Sequence, residues 1–142
     1  MEQRLTMVTL GVNDLKVSSQ FYEEKFGWKK MKSSNEFIVF FQLNGILLSL
    51  YPKEKLAEDA GVSSKGNGFK AFTLAFNTRT KEDVDELIEK LEAEGVKIIK
   101  KPERTSWGGY SSYMSDPDEN LWEIAFNPFL PLDENGNTVE NK

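Results

Sequence analysis

The run Met7-Val8-Thr9-Leu10-Gly11-Val12-Asn13-Asp14, followed by an amphipathic stretch that stops at Gly27, decides the fold because its plan is repeated. The second copy is Thr73-Leu74-Ala75-Phe76-Asn77-Thr78-Arg79-Thr80, followed by a clearer amphipathic stretch that stops at Gly95. In the first copy Val8, Leu10 and Val12 alternate with Met7, Thr9 and Gly11, the period of a strand with one apolar face. Asp14 and Thr80 stand where a helix N-cap belongs, Asp83 makes a capping box with Thr80, and Gly27 supplies a left-handed stop. Val17, Phe21 and Phe26 are expected to face the core from the first helix. Val84, Leu87, Ile88 and Leu91 follow the i, i+3, i+4, i+7 pattern of the second.

Three strand-like runs follow each helix, at 28–32, 36–43 and 46–51, and again at 96–100, 110–115 and 121–126. Asn44-Gly45 is a tight-hairpin signal, and Asp116-Pro117-Asp118 reads as a turn. The pattern predicts an α+β fold: two tandem βαβββ modules forming a curved eight-stranded trough, with the helices on its convex side. Module one spans 5–52, a linker with a short helix over 53–60 spans 53–68, and module two spans 69–128 of one domain, 1–142. In the tail, 129–142, Phe129, Leu130 and Leu132 are available to pack, whereas the polar run from Asp133 is expected to fray. Strand alternation turns Met7, Thr9, Leu47, Ser49, Thr73, Ala75, Leu121 and Glu123 into the trough.

The chain of 142 residues is 39% hydrophobic, with ten Phe, three Trp and four Tyr, enough for a well-filled core. Without cysteine there are no disulfides, thiolate metal sites or cysteine nucleophiles, and without histidine no serine triad. A net charge of −5 with interspersed Lys and Glu offers no basic face for nucleic acid. No apolar stretch approaches membrane-spanning length and the start lacks a secretory pattern, so a cytoplasmic protein is expected. Residues 116–120 open like a calcium loop, but Leu121 stands where that loop needs glycine. Residues 61–66 have phosphate-loop spacing, but Asn67 replaces the lysine.

Two groups of residues carry a family resemblance. The first is Val8-Thr9-Leu10-Gly11-Val12-Asn13-Asp14-Leu15 with Ser18, Phe21-Tyr22 and Phe26-Gly27-Trp28. The second is Trp107-Gly108-Gly109-Tyr110 with Asp116-Pro117-Asp118 and Asn120-Leu121-Trp122-Glu123-Ile124. Together they resemble the vicinal oxygen chelate superfamily of glyoxalase I, bleomycin-resistance proteins and extradiol dioxygenases. One departure is Glu119, where the family has a turn glycine, which opens that turn to a different type. The resemblance implies a homodimer and a metal held by four strand positions. Here those positions carry Met7, Ser49, Thr73 and Glu123, and only Glu123 is a good ligand.

The expectation is therefore a chain with no metal cofactor that binds or sequesters a small, partly aromatic molecule in the trough. Met7, Thr9, Phe41, Ser49, Tyr51, Thr73, Trp107, Tyr110 and Glu123 are the candidate contacts. Phe37 is a further aromatic candidate, and Arg104 a candidate partner for an anionic ligand. The alternatives are a metal-dependent lyase, isomerase or dioxygenase, and a metal-free enzyme using Glu123 as acid or base. Equally open is a plain structural role in which Glu123 is tied to a hydroxyl such as Ser49 or Thr73.

Overall fold

The computed structural model describes residues 1–139 and sets the doubled pattern into two separate sheets. The chain divides into two compact units, Met1–Gly68 and Phe69–Lys142. The last three positions of the expected tail, 140–142, lie outside the described residues.

The first unit runs β1 (Met7–Val12), α1 (Leu15–Lys25), β2 (Val39–Gln42), β3 (Leu47–Pro52) and α2 (Lys53–Ala60). Its sheet order is β1-β3-β2, with β1 parallel and β2 antiparallel to β3. Asp14 starts α1 by accepting the Val17 N–H on Oδ1 at 3.0 Å, and Gly27 leaves it at φ 70°. Leu10, Val12, Val39, Phe41, Leu48 and Leu50 share one buried sheet face. Tyr22 of α1 packs there, its ring 5.9 Å from Phe41 and stacked 5.7 Å from Trp28. The helix turns Ser18, Ser19, Phe21 and Tyr22 inward and leaves Val17 48% exposed, a correction to the expected core face.

Seven strands form among the described residues where eight were expected. The run at 28–32 supplies only an isolated bridge, Lys30 to Phe41. Two local causes are visible. Trp28 is drawn into rings with Tyr22, Phe26 and Phe41, and the Ser34 Oγ accepts the Phe40 N–H at 2.9 Å, in place of a ladder carbonyl. The 53–60 segment is a helix packed on β1 and β3. It comes so close to Gly11 that a Cβ there would stand 3.2 Å from the Lys53 Cα.

The second unit runs β4 (Leu74–Asn77), α3 (Lys81–Ala93), β5 (Lys97–Arg104), β6 (Tyr110–Ser115) and β7 (Leu121–Phe126). Its sheet order is β4-β7-β6-β5; β4 is parallel to β7 and the other pairs are antiparallel. Thr80 caps α3 by accepting the Asp83 N–H, and Val84, Ile88 and Leu91 are its buried residues. Met114, Trp122 and Ile124 complete this core. Pro102 fits β5 because β5 is an edge strand whose register to β6 is already irregular.

Two turns of this unit share one design. The Asp116 Oδ1 accepts the N–H groups of Asp118 and Asn120, and its Oδ2 the Asn120 side-chain amide. Asp133 repeats this with Asn135 and Asn137. The stretch expected to fray is therefore a closed turn, with a further bridge between Leu132 and Thr138. Bonds from the Asn137 backbone and side chain hold the Asp133 carboxyl below the usual carboxylate range. The matching position is Gly136 at φ 81° in one turn and Glu119 at φ 64° in the other. Glu119 thus keeps the left-handed conformation that a glycine takes freely, at a cost of about 1 kcal/mol.

Candidate functional site

Strand pairing sorts the expected contacts onto faces within each unit. In the first unit Thr9 and Phe40 flank Ser49, Met7 lies beside Leu47, and Gly11 beside Tyr51, all on the face opposite the Leu10–Phe41 core. Met7, Thr9 and Tyr51 are half-buried there. Ser49 is fully buried, and its Oγ has no hydrogen-bond partner among the described residues. Phe41 lies on the other face at 1% exposure, its ring against Tyr22 and Trp28. Its surroundings are those of a core side chain, because the one-residue alternation that turns Phe40 towards Ser49 turns Phe41 away. Phe37 stands in the exposed turn before β2, where the Asn35 Oδ1 accepts its N–H.

In the second unit Ala75 and Tyr113 flank Glu123 in the ladder, and Ser111 lies beside Ala125. The Ser111 hydroxyl donates to the Glu123 Oε2 at 2.9 Å and the Tyr113 hydroxyl donates to the same oxygen at 3.2 Å. The hydroxyls beside Glu123 thus come from β6 of its own sheet. The next strand adds the Lys100–Glu103 ion pair at 2.7 Å. On its β6 side Glu123 therefore has polar neighbours. Burial, then the Glu123 charge and hydrogen bond, push the Tyr113 phenol above its ordinary value. That contribution to stability is fully present below the ordinary tyrosine pKa and is lost as pH rises through the folded value. Thr73 stands one residue before β4 and is exposed.

Trp107 lies in the loop from β5 to β6, and Tyr110 opens β6. The Thr105 Oγ1 accepts the Gly109 N–H at 2.9 Å, which folds the loop back on itself. The Trp107 ring lies directly on Gly109, where any Cβ would overlap it, and is itself 48% exposed. Gly108, at φ 97°, gives room for the Phe129 ring, which lies against it and is otherwise 65% exposed. Tyr110 points to the α3 side of the sheet, its hydroxyl donating to the Asp85 Oδ1 at 2.6 Å. It is therefore on the face opposite Glu123, since the two occupy alternate rows of the β6–β7 ladder.

A profile of the Glyoxalase/Bleomycin resistance protein/Dioxygenase superfamily matches residues 4–124. The chain belongs to this superfamily. It is 33% identical over 126 residues to the uncharacterized protein YraH of Bacillus subtilis, covering 85% of this chain and 96% of that one. A crystal structure of a glyoxalase-related enzyme from Fulvimarina pelagi matches with a TM-score of 0.89 at 35% identity, covering 99% of this chain and all of that one. The fosfomycin resistance protein FosX from Listeria monocytogenes matches with a TM-score of 0.68 at 26% identity, covering 89% and 95% of the two chains.

The resemblance assigns the superfamily's metal to four strand positions of this chain. A thioether, two hydroxyls and one carboxylate occupy the four positions, and Ser111 and Tyr113 already engage that carboxylate. Among the described residues no three Asp or Glu side chains gather within metal-binding reach, and no helix is long and apolar enough to cross a membrane. Sequence reading missed Ser111 and Tyr113. The signal for them was their alternation along β6, which becomes informative only with the register to β7.

Proposed function

We propose that this chain binds or sequesters a small, partly aromatic molecule through direct contacts and not through a metal. The observation that supports this is the arrangement at Glu123. Both of its recorded hydrogen bonds fall on Oε2, leaving Oε1 to receive a donor or cationic group of the ligand. A carboxylate held by two hydroxyls is already oriented, so little ordering entropy is lost when a ligand arrives. Ala75, the β4 partner of Glu123, is exposed and puts no bulky side chain beside it.

Benzylammonium is the simplest probe of that chemistry. It is expected to bind saturably by calorimetry, with Glu123→Gln weakening it at least about tenfold, or 1.4 kcal/mol. Elemental analysis of protein purified without chelator runs alongside. Stoichiometric iron, nickel or zinc that disappears in Glu123→Gln would overturn the proposal in favour of a metal-dependent lyase, isomerase or dioxygenase.

We further propose a homodimer of this 16.2 kDa chain. Strand β4 is a sheet edge, and Phe76 within it and Phe72 just before it are 47% and 42% exposed, apolar surface that a second copy would cover. Sedimentation equilibrium at micromolar concentration is expected to give twice the chain mass, and Phe76→Lys to return it to one. A wild-type monomer at that concentration would refute this.

A further inference from the structure

A cleft lies in the second unit, on the sheet face that carries α3 and not Glu123. Its volume is about 280 Å³, and Lys81, Arg104, Thr105, Gly109, Tyr110 and Phe126 line it. Two of these are cations, and neither side chain makes an ion pair or a hydrogen bond to another described residue. The Lys81 ammonium stands 4.8 Å from the centre of the Tyr110 ring. On the same side of the sheet, Asp85 of α3 accepts the Tyr110 hydroxyl at 2.6 Å. In a chain with 23 acidic and 18 basic residues, the cleft gathers two cationic side chains without an ion-pair partner beside one aromatic ring.

The other walls specify the rest of a ligand. The Gly108 and Gly109 N–H groups are spent on the carbonyl and hydroxyl oxygens of Thr105, so the loop backbone offers the cleft no donors. The Thr105 hydroxyl keeps its own hydrogen to donate. The remaining surface is the Phe126 ring, the Tyr110 ring and the glycine backbone. A volume slightly under the range of drug-sized pockets suits one ring with one charged group.

We propose that this cleft is a binding site for a small aromatic carboxylate, its anion between Lys81 and Arg104 and its ring against Phe126. The site is separate from the Glu123 face and opposite to it in charge preference. Benzoate is the probe and benzamide its neutral isostere. In backbone amide NMR titrations, benzoate is expected to shift Thr105, Gly109 and Tyr110 saturably, while equal concentrations of benzamide leave them in place. Lys81→Gln and Arg104→Gln should each weaken benzoate at least about fivefold, whereas Lys90→Gln, which removes the same charge elsewhere on α3, should not. The inference fails if benzamide binds as well as benzoate, if all three variants weaken benzoate equally, or if the shifts do not saturate. Inorganic phosphate serves as a further control. If it displaces benzoate at equal concentration, the cleft selects charge alone and the aromatic part of the proposal is wrong.

Discussion

Phe41→Ala is expected to lower stability by about 3–5 kcal/mol, the usual result of emptying a ring-sized space in a packed core. The ring is 1% exposed and lies within 6 Å, centre to centre, of Tyr22 and Trp28. Its backbone is also paired, opposite Leu48 in β3 and to Lys30 across the isolated bridge. Deleting it removes contacts from α1, from the sheet and from the segment that replaces the expected eighth strand. Denaturant unfolding followed by circular dichroism reads this directly. Phe41→Leu, which keeps most of the volume, should cost less than half as much. If Phe41→Ala kept its unfolding midpoint, the residue would not be core.

Asp116→Ala is expected to cost about 3–4 kcal/mol. The carboxylate accepts three hydrogen bonds, two of them from Asn120, which is only 3% exposed. Bonds to a charged acceptor contribute about 1.5–3 kcal/mol each, and buried donors left without an acceptor cost more than bonds that are merely weakened. The same turn holds Glu119 at φ 64°, strain that the Asp116 bonds must offset. Asp116→Asn keeps one acceptor oxygen and should lose roughly half as much stability. Hydrogen exchange at the Asn120 amide should quicken in step with the loss. A change under about 0.5 kcal/mol for Asp116→Ala would mean that the turn is held instead by the Asp116–Asn120 backbone bond and by Lys70, whose ammonium donates to the Asp118 carbonyl and the Asn120 side chain.

Most of the scaffold was legible in the residues themselves. Asp14 and Thr80 cap the two helices as their chemistry requires, Gly45 turns the β2–β3 hairpin at φ 74°, and the apolar positions of α3 include all three of its buried residues. Misreadings arose where a local signal met a tertiary demand. Val17 has the right periodicity for a core residue, but the small Ser18 and the large Tyr22 take the inward positions. The run at 28–32 has strand-like composition, but its tryptophan is worth more in the aromatic cluster than its backbone is in a ladder.

The candidate site divides in the same way. By itself the sequence determined that the chain has neither histidine nor cysteine, that Glu123 is the one good ligand among the four superfamily positions, and that Trp107-Gly108-Gly109 forms a loop. Those are statements about residue type and short-range geometry, which the chain carries wherever it goes. Tertiary structure decided that Ser111 and Tyr113 hold Glu123, that Phe41 is core, and that Lys81 and Arg104 share a cleft. Side-chain alternation gives each strand two faces, but which face meets which neighbour depends on register, and a slip of one residue exchanges them all.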